Sequence, residues 1–552
     1  MNRDQDPRSR WLWPRLAVIL LGGLFLLQGI RVIGAASPTL DEPGHYRYGH
    51  RILRGVAERW DDSKMPVSAL NALPCFVFEK TGTPILDLDE FSGPCDWTLA
   101  RAPTLLGGLA LGLAIAAWSR ALYGWPGALV SMGLFAFDPN LLAHSTLVTT
   151  DVFGALFLLL SLRAFARWLE VPGIRNSVLL GLSVGAAFIS KYTAAYLPVI
   201  FLVAAFWPRA KPDQGAGHRM RISGAAIALA LILAVINGGF LGDGTGASLR
   251  DQRFFSPHFR ELQKLPVLAS LPLPVPRPFV EGLDRVFHRE RNGGGSGNIY
   301  LLGELRAPGS EGFPSYFLVV GFFKTPIPTL ITLALALALL VRRGRAAWSL
   351  DELTLASAVV IFSLYFSFLF RAQIGLRHFL VACPPVFVLA GALGPWFSRS
   401  RWRAAFGVFG LVCSAGSVTR HGNDPLSYFN EFVDPVLTYK IAADSNLDWG
   451  QSKGQVEAYL ASHPEVLRAP ARPFPGRLLV GANQLAGVVT RRRMVWLRES
   501  GLRPIAHVAF THFLFELSEA EATSLRVKRG YPPLPPGWRQ APGPPPIILP
   551  IP

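Results

Sequence analysis

The 552-residue chain is half hydrophobic and only 16% charged, with a net charge of +17 from 54 Lys and Arg against 37 Asp and Glu. That composition excludes a set of soluble domains, whose surfaces need more charge. It also excludes nucleic acid as the partner of the positive excess, because the basic residues fall in short clusters between apolar runs and make no continuous basic face.

The first apolar run, Leu12–Ile33, is interrupted only near its ends by Arg15 and Arg31. It is long enough to cross a hydrocarbon core about 30 Å thick. A cleaved signal sequence has an apolar core of roughly 7–15 residues. An uncleaved first span is therefore the expectation, although Ala35-Ala36-Ser37 follows. Hydropathy predicts eleven spans in all: 12–35, 99–119, 125–138, 151–168, 175–190, 193–207, 222–240, 315–341, 352–370, 378–397 and 404–419. Pro326 and Pro328 predict a broken helix within the eighth.

Every second connection is basic. Arg3, Arg8 and Arg10, then Arg163 and Arg167, Arg342 and Arg343, and Arg399, Arg401 and Arg403 fall on one side, which the positive-inside bias makes cytoplasmic. The N-terminus is then inside and the C-terminus outside, in the periplasmic or extracellular space of an inner (plasma) membrane protein. The expected fold is an α-helical polytopic membrane protein with a small α+β extracytoplasmic domain at its C-terminus. Residues 1–419 make the membrane domain with outer loops 36–98 and 241–314, residues 420–530 the small domain, and 531–552 a proline-rich tail. Within the small domain, Arg477–Val480 and Ile505–Phe513 read as strands and Gln455–Ala461 as helix. Cys75 and Cys95 share the first outer loop. They are either a disulfide, worth on the order of 3 kcal/mol, or two free thiols.

Unusual polar residues gather on the outer side. The first loop opens with Asp41-Glu42-Pro43-Gly44-His45, where adjacent carboxylates raise each other's proton affinity and suit a general base. The same letters are also ordinary helix-capping chemistry. His144 and Asp151 flank the entry to the fourth span; a carboxylate there calls for a polar partner, or serves a helix N-terminus. Lys191, Lys324, Arg371, Arg377 and His378 bring positive or titratable groups to the same level. Singly these are snorkelling anchors; together they are what a phosphate at the outer leaflet would need. The tail begins with Asp424-Pro-Leu-Ser-Tyr-Phe-Asn-Glu431 and then carries Asp444-Ser-Asn-Leu-Asp448-Trp449-Gly-Gln451, which reads as an Asx-rich turn or as a sugar-binding surface with an aromatic plane beside polar groups.

These motifs, with Tyr300-Leu-Leu-Gly-Glu304, Lys324-Thr-Pro-Ile-Pro328 and Gly375-Leu-Arg-His378, occur in an order that resembles the C-type superfamily of membrane glycosyltransferases. The similarity is greatest to the bacterial family 39 members related to protein O-mannosyltransferases. The resemblance implies a polyprenyl-phosphate-sugar donor, a mannose-like hexose and a hydroxyl acceptor on protein, lipid or glycan of the cell envelope. It implies Asp41 as catalytic carboxylate with Glu42 as neighbour, and Asp151 as the second acidic position. Lys191 and Arg377, joined by His378 and Lys324, would hold the donor phosphate. His45, His144, Glu304, Asp448, Trp449 and Gln451 complete the expected substrate site. No cofactor is expected, and no Cys or His spacing makes a zinc site. The chain lacks the large luminal insert that eukaryotic protein mannosyltransferases carry after the seventh span, which leaves the acceptor open. The competing readings are a glycolipid transporter or flippase, which calls for charges in mid-span and inverted repeats, and a non-catalytic scaffold.

Overall fold

In hydrocarbon every backbone N–H and C=O must find its partner within the segment, so the long apolar runs fold as helices. The computed structural model describes residues 7–58, 63–81, 96–206, 218–292, 298–344, 347–489 and 494–534. Among the described residues six helical elements are long and apolar enough to cross a membrane: Leu12–Ala35, Trp97–Ala136, Asp151–Glu170, Arg219–Gly239, Leu350–Phe368 and Leu376–Phe397. Ile174–Ser190 and Tyr192–Phe206 are shorter apolar helices.

In chain order the first half comprises α1 (Pro7–Ala35), α2 (Glu42–Leu53), α3 (Ala69–Lys80), α4 (Trp97–Ala136), α5 (Pro139–Ser145), α6 (Asp151–Glu170), α7 (Ile174–Ser190), α8 (Leu197–Phe206) and α9 (His218–Gly239). Helix α4 is not one rod. It breaks at Gly124, whose φ of 73° only glycine adopts without cost. Ser131 Oγ then donates to Ser119 Oγ at 2.9 Å. Twelve residues of straight helix would hold those atoms about 18 Å apart, so the two halves fold back on each other. The two spans expected at 99–119 and 125–138 are this hairpin. The eighth expected span is likewise two helices, Tyr316–Phe323 and Ile327–Arg343, separated at Lys324–Pro326.

The end of the bundle that holds the Gly124 turn is cross-linked by charge. Arg343 Nη1 donates to Glu352 Oε1 at 2.8 Å, Tyr123 donates to the same oxygen at 2.9 Å, and Arg163 pairs with Asp351. Asp151, at the start of α6, lies at the other end.

The chain from Asp424 to Ser452 is woven into that second end. Lys324 Nζ donates to the carbonyls of Leu426, Tyr428 and Asn446 at 2.7, 3.2 and 2.6 Å, and Asn430 Nδ2 reaches the carbonyls of Phe322 and Thr325. A four-stranded sheet follows, ordered β3 (Leu467–Arg468), β4 (Gly476–Gly481), β6 (His512–Leu517), β5 (Ala506–Val508), with β3 parallel to β4 and the other pairs antiparallel. A separate hairpin, β1 (Ile299–Leu301) with β2 (Glu304–Arg306), precedes Tyr316. Strand alternation buries both faces of the larger sheet. Leu479 and Leu514 pack with Val456 of the helix Lys453–Ser462, while Leu478, Val480, Phe513 and Phe515 join the main core.

The tail departs from its sequence reading in two respects. Its residues 424–452 are tied into the membrane bundle rather than set apart in an α+β unit, because Lys324 partners backbone carbonyls there and the tail's Asn430 partners the Phe322 and Thr325 carbonyls in return. The strand expected over Ile505–Phe513 is broken by a turn at Ala509 and Phe510, with φ of 50° and 58°. Cys75 is disulfide-bonded, and Cys383 and Cys413 are free. Cys95, the Gly-rich stretch at 293–297 and most of the proline-rich tail lie outside the described residues.

Candidate active site

Asp41 is the N-cap residue of α2, yet its side chain accepts no capping hydrogen bond. Its carboxylate turns instead to Arg377, whose Nη1 donates to Oδ2 at 2.8 Å, and to Lys64, whose Nζ lies 3.8 Å from Oδ1. Burial alone would raise the Asp41 pKa. The charges of Arg377 and Lys64 more than offset this and hold it well below the usual carboxylate range. Lys64 reaches this position because position 44 is glycine: a Cβ there would sit 2.8 Å from Lys64 Cε. The Asp41 side chain keeps 32% of its surface exposed, against 12% for Arg377 and 5% for Lys64. It is the open face of a buried cationic cradle.

Glu42 turns the other way. It is fully buried, with Arg101 Nε and Nη2 bound to its two oxygens at 2.8 and 2.9 Å. The backbone N–H groups of Thr39 and Val148 complete its partners at 2.7 and 2.9 Å. Consecutive residues at a helix start point about 100° apart, so one carboxylate faces the site while its neighbour locks the first loop to α4. Glu42, expected as a catalytic neighbour of Asp41, is held instead in a buried clamp with Arg101.

Asp151 stands at the first position of α6, and its carboxylate accepts from Lys191 Nζ at 2.5 Å. The two ion pairs adjoin: Asp41, Asp151, Lys64 and Arg377 all act electrostatically on His45. Burial, and the nearby Lys64 charge, push His45 down to about 3; burial likewise pushes His144 to about 3. Both imidazoles are thus neutral near pH 7 and able to donate or accept one hydrogen bond at each nitrogen. Trp449 is buried beside them, with the Arg377 guanidinium 4.1 Å from its ring centroid and the His144 ring 6.1 Å away. Arg377 Nε, His378 Nε2 and His144 Nδ1 are buried and have no hydrogen-bond partner among the described residues.

The tail holds this geometry. Ser37 and Leu40 donate their backbone N–H groups to the carbonyls of Gln451 and Trp449 at 2.8 and 3.1 Å. Asn446 Oδ1 accepts from Leu376 N at 2.8 Å, and Ser445 Oγ donates to the Ile374 carbonyl at 2.8 Å. A Cβ at Gly375 would lie 2.1 Å from Ser445 Oγ, so only glycine admits this contact two residues before Arg377.

Asp444 completes a third acidic position. Its φ is 60°, uncommon for a residue other than glycine. Its N–H donates to Asn483 Oδ1 at 2.6 Å. Burial pushes its carboxyl up to about 6, moderated by Arg377.

The structure therefore brings together Asp41, His45, His144, Asp151, Lys191, Arg377, His378 and Trp449 from five separate stretches of chain. Four further expected site residues hold other contacts. Lys324 spends all three N–H donors on tail carbonyls and has none left for a phosphate. Glu304 is the exposed first residue of β2, paired with Arg306 at 2.8 Å. Gln451 is a strut: its Oε1 accepts from Trp449 N at 2.8 Å and its Nε2 binds Ser427 Oγ and the Leu447 carbonyl, both at 3.0 Å. Asp448 caps its own turn through Gly450 N at 3.1 Å and adjoins Gly481 of the sheet. Lys64 and Asn483 escaped sequence reasoning, since a single Lys before Met-Pro and a single Asn after a strand carry no local signal. Asp444 stood inside a quoted motif without being selected.

Residues 95–237 match the family model described as dolichyl-phosphate-mannose-protein mannosyltransferase, which bears out the resemblance to C-type membrane glycosyltransferases over that stretch. No curated protein matches the chain. Among solved structures, ArnT from Cupriavidus metallidurans bound to undecaprenyl phosphate is similar with a TM-score of 0.47 and 15% identity, over 73% of this chain and 64% of that one. The Archaeoglobus fulgidus oligosaccharyltransferase tethered with an acceptor peptide is similar with a TM-score of 0.48 and 12% identity, over 77% of this chain and 56% of that one. The chain thus spans less than two thirds of the length of either protein.

Proposed function

We propose that this protein is a membrane glycosyltransferase that moves a mannose-like hexose from a polyprenyl-phosphate carrier to a hydroxyl acceptor at the outer face of the membrane. The observation that carries the reading is the arrangement around Asp41: an exposed carboxylate cradled by Arg377 and Lys64, beside the buried Asp151–Lys191 pair. A lone anion–cation pair would suit a structural bridge. Here the cations reach the carboxylate from distant stretches of chain, and Arg377 retains an unpartnered Nε.

In the reaction the acceptor oxygen attacks the anomeric carbon, and the bond from that carbon to the phosphate oxygen breaks. The acceptor proton passes to Asp41, and the departing polyprenyl phosphate carries the negative charge. Arg377, Lys64 and Lys191 are placed to stabilise that charge as it develops. Arg377 would have to serve both anions. As the phosphate draws on the guanidinium, its hold on Asp41 weakens, and the carboxylate becomes a better base when the donor is bound. Trp449 is buried against the Arg377 guanidinium and steadies it through a cation–π contact.

The test is transfer of labelled sugar from polyprenyl phosphate to an envelope acceptor, in membranes carrying the wild-type chain or Asp41→Asn. Turnover that survives the substitution at the wild-type rate would remove Asp41 as the base. Sugar that crosses the bilayer still attached to its lipid, with no transfer, would identify a flippase.

A further inference from the structure

The loop after α9 contains a small helical hairpin, Pro257–Gln263 followed by Pro266–Ser270. Its inner side is firmly held. Asp284, fully buried, accepts from Ser256 N at 3.1 Å, and Gln263 Nε2 donates to the Leu249 and Gln252 carbonyls at 2.9 Å. Phe254 and Phe259 pack into a cluster with Phe240, Phe279, Tyr192, Met65 and Val67. The outer side is apolar. Leu262, Leu265, Val267, Leu268 and Leu271 are 40%, 49%, 75%, 42% and 48% exposed. Five large aliphatic side chains on one ordered hairpin make a patch that water does not favour, and such patches mark contact sites.

We propose that this hairpin is a monotopic membrane anchor, docking its apolar tip into the headgroup–acyl boundary of an anionic bilayer. Two features of the hairpin select a lipid surface as its occupant. It lies in the loop that leaves a membrane-crossing helix: α9 ends at Gly239, the hairpin begins at Pro257, and the exposed Leu241 lies between them. Exposed Arg250, Arg253, Arg260 and Lys264 flank the tip, against Asp251 and Glu261, of which Glu261 pairs with Lys264. An apolar tip with a cationic collar is the composition that partitions to an interface rather than across it. The proposal rests on the chain spanning a membrane and not on the transferase reading.

Its inward cluster gives the anchor a consequence. Met65 directly follows Lys64 and Tyr192 directly follows Lys191, so the anchor shares a core with the chain neighbours of both lysines of the candidate site. Docking would set those two cations at the level of the lipid phosphates.

The test places a nitroxide at Val267→Cys, in full-length protein with Cys383 and Cys413 replaced by Ser, reconstituted in phosphatidylethanolamine–phosphatidylglycerol bilayers. The expected result is more collisions with oxygen than with a water-soluble nickel chelate, the reverse at an Glu311→Cys control, and a smaller difference when phosphatidylcholine replaces phosphatidylglycerol. A label at position 267 that behaves like the control overturns the proposal. So does a label shielded from both reagents, which would mean that a protein partner or a second copy covers the hairpin. Labels at Leu265 and Leu271 supply the same reading should the first variant fold poorly.

Discussion

Arg377 and Asp41 are 336 positions apart in the chain and 2.8 Å apart in space, and the Arg377 guanidinium at the same time lies over the Trp449 ring. Three distant segments therefore meet at one guanidinium: the first loop, the connection before the tenth expected span, and the tail. An ion pair of this kind in a partly buried setting is costly to assemble, because both charges lose water. Here the Asp41 carboxylate stays about a third exposed, which leaves room for a third charged group to join the pair.

If Asp41 is the base, Asp41→Asn removes the proton acceptor while keeping shape and volume. Transfer should fall by about 10²–10⁴-fold, with the thermal midpoint in detergent lowered because Arg377 and Lys64 lose their counter-ion. Labelled-sugar transfer and a melting curve on the same preparation check both halves.

The neighbouring carboxylate should behave in the opposite way. Glu42 and Arg101 are both fully buried, and breaking such a pair from one side costs about 3–5 kcal/mol. Glu42→Gln should lower the thermal midpoint sharply. The chain that survives should retain donor KM, and a Glu42→Gln, Arg101→Met double variant should recover part of the loss.

Lys324 should also register as a stability residue. Lys324→Met leaves three backbone carbonyls without their charged donor, a loss on the order of 3 kcal/mol. The tail should become more sensitive to protease while donor KM stays constant. A raised KM with an unchanged melting curve would return Lys324 to the phosphate site.

Asn483 is expected to act through Asp444. It accepts from Asp444 N at 2.6 Å and donates to the Asp448 carbonyl at 2.8 Å, holding a backbone conformation that costs about 1–3 kcal/mol. Asn483→Ala should lower kcat more than it raises KM, with a stability change of about 1 kcal/mol. Asn483→Asp keeps the acceptor for Asp444 N and should restore most of the rate. Equal kcat for all three proteins would reduce Asn483 to a simple turn residue.

Stability should depend on pH through Asp444. Burial pushes its folded-state carboxyl up to about 6, while an unfolded Asp titrates near about 3.9. Between those values the folded state holds the extra proton, so this group's contribution to stability falls as pH rises through the window. Asp444→Asn cannot lose that proton. Its thermal midpoint should match wild type below about pH 4 and exceed it increasingly up to about pH 6.

Much of this protein was legible one residue at a time. Whether Leu12–Ile33 can cross a bilayer depends on its own side chains, and so does the break that Pro326 and Pro328 impose on a helix. The alternation of basic connections is equally local, and the residues it assigns to one side, Asp41, His144, Lys191 and Arg377, do meet. Partnership was not legible. Asp41 and Glu42 are adjacent letters of one motif, but the turn of α2 sends the first toward Arg377 and the second toward Arg101. Lys324 and Lys191 looked alike; one is consumed by tail carbonyls, the other faces Asp151. Hydropathy sums over neighbours along the chain, whereas a charge is defined by neighbours in space. The sequence alone determined which segments enter the membrane, and the packing of the tail against the first loop decided which polar side chains were left to face a substrate.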